Sequence, residues 1–161
     1  MDGSEVVTGA KPALRAPIMR QPGQIGVVVA ISGFKLSCLI FGDATGGRDK
    51  TPYAAAQIGA LIKIPTSGST AYGFISSLSF EQPSAHAPTA VAEVDLLGEQ
   101  LGRGANAQKS FSRGISVFPV LGGAVFATGS EDIALIYAKP NTWTLSIGTL
   151  HQDASVPAYL M

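Results

Sequence analysis

No apolar run in this chain is long, and each one is cut off by glycine, proline or a small polar pair. Ile25-Gly26-Val27-Val28-Val29-Ala30-Ile31 breaks at Ser32-Gly33 before Phe34-Lys35-Leu36-Ser37-Cys38-Leu39-Ile40-Phe41 resumes. Two β-branched runs around such a pair read as a hairpin. Residues 58–64 form another apolar stretch, stopped by Pro65, and residues 66–70 are small and polar. Residues 72–80 alternate, residues 82–88 hold Pro83 and Pro88, and residues 91–101 alternate again. In that last run Val91, Glu93, Asp95 and Leu97 fall on one face and Ala92, Val94 and Leu96 on the other. Residues 114–118 and 124–127 read as a further pair of strands divided by Pro119 and Gly122-Gly123, and residues 145–150 as the last strand. With 19 glycines and 10 prolines spread through 161 residues, long helices are excluded.

One short helix is expected at residues 130–139. Ser130 is placed to cap it, Glu131 and Asp132 sit at its positive end, and Lys139-Pro140 closes it. Ile133, Ile136 and Tyr137 would form its buried stripe. Six or seven short strands and one helix predict a mainly all-β chain, a small closed or nearly closed six-stranded β-barrel with a C-terminal extended linker. Closure removes the free edges that such strands would otherwise expose; a two-sheet sandwich is the competing architecture. Residues 1–24, with Pro12, Pro17 and Pro22, read as an irregular N-terminal segment, residues 25–150 as the barrel, and residues 151–161 as the linker.

Only 14% of the residues are charged, 11 basic against 11 acidic, and 46% are hydrophobic. Balanced charge argues against binding a polyanion through bulk electrostatics, and the apolar excess argues against general disorder. A positive mean hydropathy suits a protein that meets another subunit or domain. Cys38 is alone, so no intrachain disulfide forms. The acidic start, Met1-Asp2-Gly3-Ser4-Glu5, lacks the basic and apolar regions of a signal peptide, and no apolar run is long enough for a membrane-crossing helix. A cytoplasmic location without membrane contact is expected.

Each chemical signal is weak. Residues 42–51 are glycine-rich, but Gly47 is followed by Arg48-Asp49, where a phosphate loop places Lys directly after its second glycine. Gly102-Arg103-Gly104-Ala105-Asn106-Ala107 fits a dinucleotide pattern, yet the residues after it do not begin an amphipathic helix. Glu93 and Asp95 share one strand face, the arrangement of a solvated surface rather than a cleft acid and base. His86 and His151 lie 65 positions apart with no metal-ligand spacing, and no nucleophile elbow accompanies His151 and Asp153. Arg103, Lys109 and Arg113 with Phe111 form a small basic cluster, too few cations for strong phosphate binding. No catalytic, cofactor-binding or metal-binding residue is assigned, and the chain alone is not expected to be an enzyme.

Several blocks, in order, resemble the N-terminal barrel of HerA-type DNA-translocating ATPases. They are residues 25–33 with their partner strand, Ala71-Tyr72-Gly73-Phe74-Ile75-Ser76-Ser77-Leu78-Ser79, Ala92-Glu93-Val94-Asp95-Leu96-Leu97-Gly98-Glu99 and Arg113-Gly114-Ile115-Ser116-Val117-Phe118-Pro119. The most specific are Ser130-Glu131-Asp132 and the run Ile147-Gly148-Thr149-Leu150-His151-Gln152-Asp153 leading to Val156-Pro157-Ala158-Tyr159-Leu160. The resemblance covers residues 25–161. It implies a six-stranded barrel like that at the N-terminus of rotary ATP-synthase subunits, in a ring, usually hexameric, with a RecA-like motor C-terminal to it.

It implies a nuclease or other effector as partner, and DNA handled by the whole assembly in DNA end processing or anti-phage defence. Neither Walker motif nor an arginine finger lies in these residues, so ATP and Mg are expected only in a C-terminal motor domain that would follow Leu160. Two other readings stand beside this one: a stand-alone OB-like barrel binding single-stranded nucleic acid, and a structural or virion assembly barrel.

Overall fold

The computed structural model describes residues 20–42, 55–80, 90–101, 109–139 and 143–160. β1 (Gln24–Ser32) and β2 (Lys35–Ile40) form the expected hairpin. Ser32 pairs with Lys35, so the turn is Gly33-Phe34 and not Ser32-Gly33. Gly33 has φ +59, the left-handed geometry a two-residue hairpin turn demands. The shift leaves Phe34 on the outside of the turn, exposed.

β3 (Leu61–Pro65), β4 (Ser69–Phe80), β5 (Ala90–Leu101), β6 (Ser110–Arg113) and β7 (Ala124–Ala127) complete the main sheet in the order β2-β1-β7-β3-β4-β5-β6. β2 also pairs with β5, from Lys35↔Asp95 to Ile40↔Ala90. That pairing closes six antiparallel strands into a barrel and leaves β6 as an outer strand on the end of β5. The mainly β architecture, the closed six-stranded barrel and the single short helix therefore stand as the sequence predicted.

Alternation fills the interior. Leu36, Cys38 and Ile40 of β2, Ile62 and Ile64 of β3, and Ala90, Ala92 and Val94 of β5 are buried with Ile25, Val28, Ile75 and Val125. β-branched side chains suit this pleated, half-buried surface, and removing one such Ile or Val side chain costs about 1.5–3 kcal/mol of burial. The small residues of β5 leave room for the larger Ile and Leu side chains of its neighbours.

Several boundaries differ from expectation. Residues 58–60 form a turn, not strand, because Gly59 takes φ +85 and Ala60 N–H donates to Gln57 O at 2.9 Å. β4 begins at Ser69, inside the expected loop. Residues 114–118 are not a strand. Gly114 has φ +90, and the amides of Ser116 and Val117 donate to the Glu99 carboxylate instead of to a neighbouring strand; the strand lies earlier, at β6.

The helix α1 (Ser130–Ile136) is capped by Gly129, one residue before the expected cap. Gly129 N–H donates to Asp132 Oδ2 at 2.9 Å, so Asp132 reaches back over the first turn. Ile133 and Ile136 are half-buried, whereas Tyr137 is exposed. β8 (Leu145–Thr149) pairs with no barrel strand. Its partner is β9 (Pro157–Leu160), formed by residues expected to be an extended linker.

Candidate functional site

Lys63, Tyr72 and Gln100 stand on three adjoining strands of the barrel wall. Lys63 pairs with Tyr72 across β3 and β4, between the inward-facing Ile62 and Ile64, and therefore points outward. Helix α1 lies against this outer wall and inserts Asp132. Its Oδ2 accepts from Lys63 Nζ at 2.7 Å, and its Oδ1 accepts from the Tyr72 hydroxyl at 2.8 Å. Gln100 Oε1 is a second acceptor 2.9 Å from the same hydroxyl. A phenol carries one hydrogen, and the ionised carboxylate is the stronger acceptor.

These residues line a groove of about 540 Å³ with Thr70, Lys109 and Glu131. Burial pushes the Asp132 carboxyl up, but the hydrogen bonds from Lys63, Gly129 and Tyr72 outweigh it and hold the group below the usual range. Tyr72 moves the other way: burial, then the bond to Asp132 and its charge, raise the phenol above its ordinary value. Acid–base catalysis needs groups drawn toward neutrality. Asp132 and Tyr72 are moved the other way, and their hydrogen bonds tie α1 to β3 and β4 of the barrel.

A second polar centre lies under the segment 114–118. Glu99 is 3% exposed. It accepts from Ser69 Oγ at 2.7 Å, Ser116 N at 2.8 Å, Val117 N at 3.4 Å and the Ser116 hydroxyl. The Ser116 hydroxyl first, then the Ser69 hydroxyl and the two amides, hold the carboxyl below its usual value against the opposing effect of burial. Sequence reasoning missed this residue because strand parity placed it on the outer face. In β5, Leu97 is an extra residue between the pairs Tyr72↔Gly98 and Gly73↔Leu96. That bulge reverses the alternation and turns Glu99 inward beside its buried partner Ala71.

The other residues singled out in the sequence are not brought together. Glu93 is exposed on the outer face of β5, and Asp95 is 3.7 Å from Lys35 in a solvated ion pair. Asp153 accepts from Ser155 N at 2.9 Å and Ser155 Oγ at 2.6 Å, and its carboxyl is lowered chiefly by that hydroxyl; no hydrogen bond joins it to His151. Phe111 is half-buried, its ring edge-on to that of Tyr72 with centroids 6.1 Å apart. Lys109 lines the groove beside Lys63, while Arg113 lines a separate small cavity with Leu97, Ile136 and Tyr137. His86, Arg103, residues 43–51 and residues 102–107 lie outside the described residues. Among the described residues no three His, Cys, Asp or Glu side chains gather as a metal site would require, and no helix is long and apolar enough to cross a membrane.

Large apolar side chains are exposed at several places, Ile58, Phe80, Leu101 and Tyr137 among them. At the β1–β2 turn the Phe34 ring is 5.6 Å from that of Phe118, and Val29 and Ile31 are exposed on β1. Val120 and Leu121 follow Phe118, 69% and 65% exposed. On the β8–β9 ribbon, Trp143 is 86% exposed, and Leu145, Ile147 and Leu160 are exposed beside it. No family model matches the sequence, and no curated protein matches it.

Proposed function

We propose that this chain is the assembly and partner-docking barrel of a HerA-like, ring-forming DNA translocase of the cytoplasm. The observation that carries the reading is a closed six-stranded barrel that leaves Phe34 against Phe118, with Val120 and Leu121 next along the chain, exposed on its outside. Burying such a surface between neighbouring barrels contributes about 25 cal/mol per Å² before the cost of association. Repetition around a ring multiplies weak pairwise contacts. The sequence blocks at 25–33, 71–79, 92–99, 113–119, 130–132 and 147–160 carry the resemblance to that family; the balanced charge favours a protein-facing role, with a nuclease-type effector docked on the ring. ATP and Mg belong to a motor domain C-terminal to the barrel, so the barrel itself organises and recruits.

Two measurements test this. The reading frame beyond Leu160 should encode a G-x-x-x-x-G-K-[S/T] phosphate loop; a stop codon after Met161 removes the motor from the proposal. Light scattering of residues 1–161 should show concentration-dependent association that Val120→Asp with Leu121→Asp abolishes. A wild-type chain that stays monomeric at every concentration overturns the assembly role.

A further inference from the structure

We propose that Glu99 is the latch of a strap, residues 115–123, that covers one end of the barrel and swings away as a unit when the latch is lost. The proposal concerns how the strap is held and does not require assembly, although the strap carries Phe118, Val120 and Leu121 of the surface proposed for it.

A carboxylate withdrawn from water is costly unless its oxygens are fully hydrogen-bonded. Glu99 meets that demand with hydroxyls and amides, and three of its four donors come from the strap: the Ser116 and Val117 amides and the Ser116 hydroxyl. The fourth, Ser69 Oγ, is itself fixed by Thr66 Oγ1 at 2.9 Å and anchors the carboxylate to the β3–β4 connection. The dependence is mutual. The Ser116 and Val117 amides find their acceptor in Glu99 and not in a strand, and without them Glu99 keeps only the Ser69 hydroxyl.

Beyond the latch, Pro119 is buried and Phe118 lies on Phe34. The far end is tied to β1 by Gly122 N–H to Val28 O at 2.8 Å and Val28 N–H to Gly123 O at 2.9 Å. Gly114 at φ +90 and Gly122 at φ +79 bracket the segment, two residues whose backbone crosses between conformations without a Cβ penalty. The strap is thus tied at both ends, hinged at both ends, and locked by one side chain at its first end. Removing that side chain leaves two amides without acceptors while the barrel ladder beneath, β3 to β4 and β4 to β5, keeps every one of its own bonds.

The test is native-state hydrogen exchange at neutral pH on the full chain, comparing wild type with Glu99→Ala and Glu99→Gln. In E99A, the Ser116 and Val117 amides, which lose their acceptor, and the Gly122 amide, bonded to Val28 O at the far end, should exchange at least about tenfold faster. Ile62 and Ile75, in the ladder, should keep their wild-type protection. E99Q should fall between, since its amide oxygen still accepts from a strap amide. If E99A fails to fold, E99Q is decisive. Unchanged exchange at Ser116, Val117 and Gly122, or protection lost evenly across the barrel in both variants, overturns the proposal.

Discussion

The Tyr72 hydroxyl donates to Asp132 Oδ1 at 2.8 Å across 60 residues of sequence, joining the middle of the barrel wall to the first turn of α1. The helix contains seven residues and none is buried. An isolated helix of that length does not hold its shape in water. Its place is set by Asp132, which ties it to β3 through Lys63, to β4 through Tyr72 and to its own cap through Gly129.

Asp132→Asn should therefore loosen α1 from the barrel. We expect a loss of about 1–2 kcal/mol in urea unfolding, small because Lys63 is partly exposed and screened. A double-mutant cycle with Lys63→Met should return a favourable coupling of roughly 0.5–1 kcal/mol. Additive effects of the two substitutions would show that the pair contributes nothing.

Acid should unfold the protein through Asp132 and Glu99. Both carboxyls lie below their ordinary values of 3.8 and 4.5 in the folded state. A depressed folded value means the unfolded chain takes up protons first, so the stability is complete above the ordinary values and is lost as pH falls through them toward the folded ones. Urea midpoints should be flat from neutrality to about pH 5 and fall below it. In Glu99→Gln the fall should be shallower; an identical acid limb would remove Glu99 from the account.

Cys38 should be inert in the native state. It is fully buried, and burial alone pushes its thiol up to about 12. Thiolate is the reactive form, so Ellman's reagent should label the thiol only at the rate of global unfolding. Rapid labelling of folded protein would contradict a closed barrel between β1, β2 and β5.

Gly98→Ala should be among the most harmful single substitutions. A methyl group there would collide with Ser112 O and come 2.6 Å from Phe111 Cζ, so β6 could not stay paired with β5. We expect a loss of about 2 kcal/mol or more. Circular dichroism melts would check it, with an unchanged midpoint as the contrary result.

The barrel was legible because its signal is local. Leu36-Ser37-Cys38-Leu39-Ile40 alternates, the alternation declares an inner face, and runs stopped by Gly33 and Pro65 declare where strands end. The polar centres were not legible, because each depends on an event that leaves little trace in composition. One extra residue at Leu97 reverses which face Glu99 occupies, and only the adjoining Gly98 hints at a bulge. Asp132 reads from sequence as a favourable charge at a helix start; that it also meets Lys63 and Tyr72 follows from the fold bringing three distant elements together. Residues 114–118 look like a strand because the pattern records apolarity and not which acceptor the amides find.

The position of β7 governs the order in which this barrel can come into being. β7 sits between β1 and β3, although it is the last barrel strand in the chain. Until residues 124–127 leave the ribosome, β1 through β5 form a curved sheet with a slot, and β1 and β3 present unpaired backbone on its two sides. Open strand edges recruit other chains. The nascent protein is thus most prone to aggregation just before its barrel closes, and a product ending at residue 123 should accumulate as aggregate rather than as a smaller folded barrel.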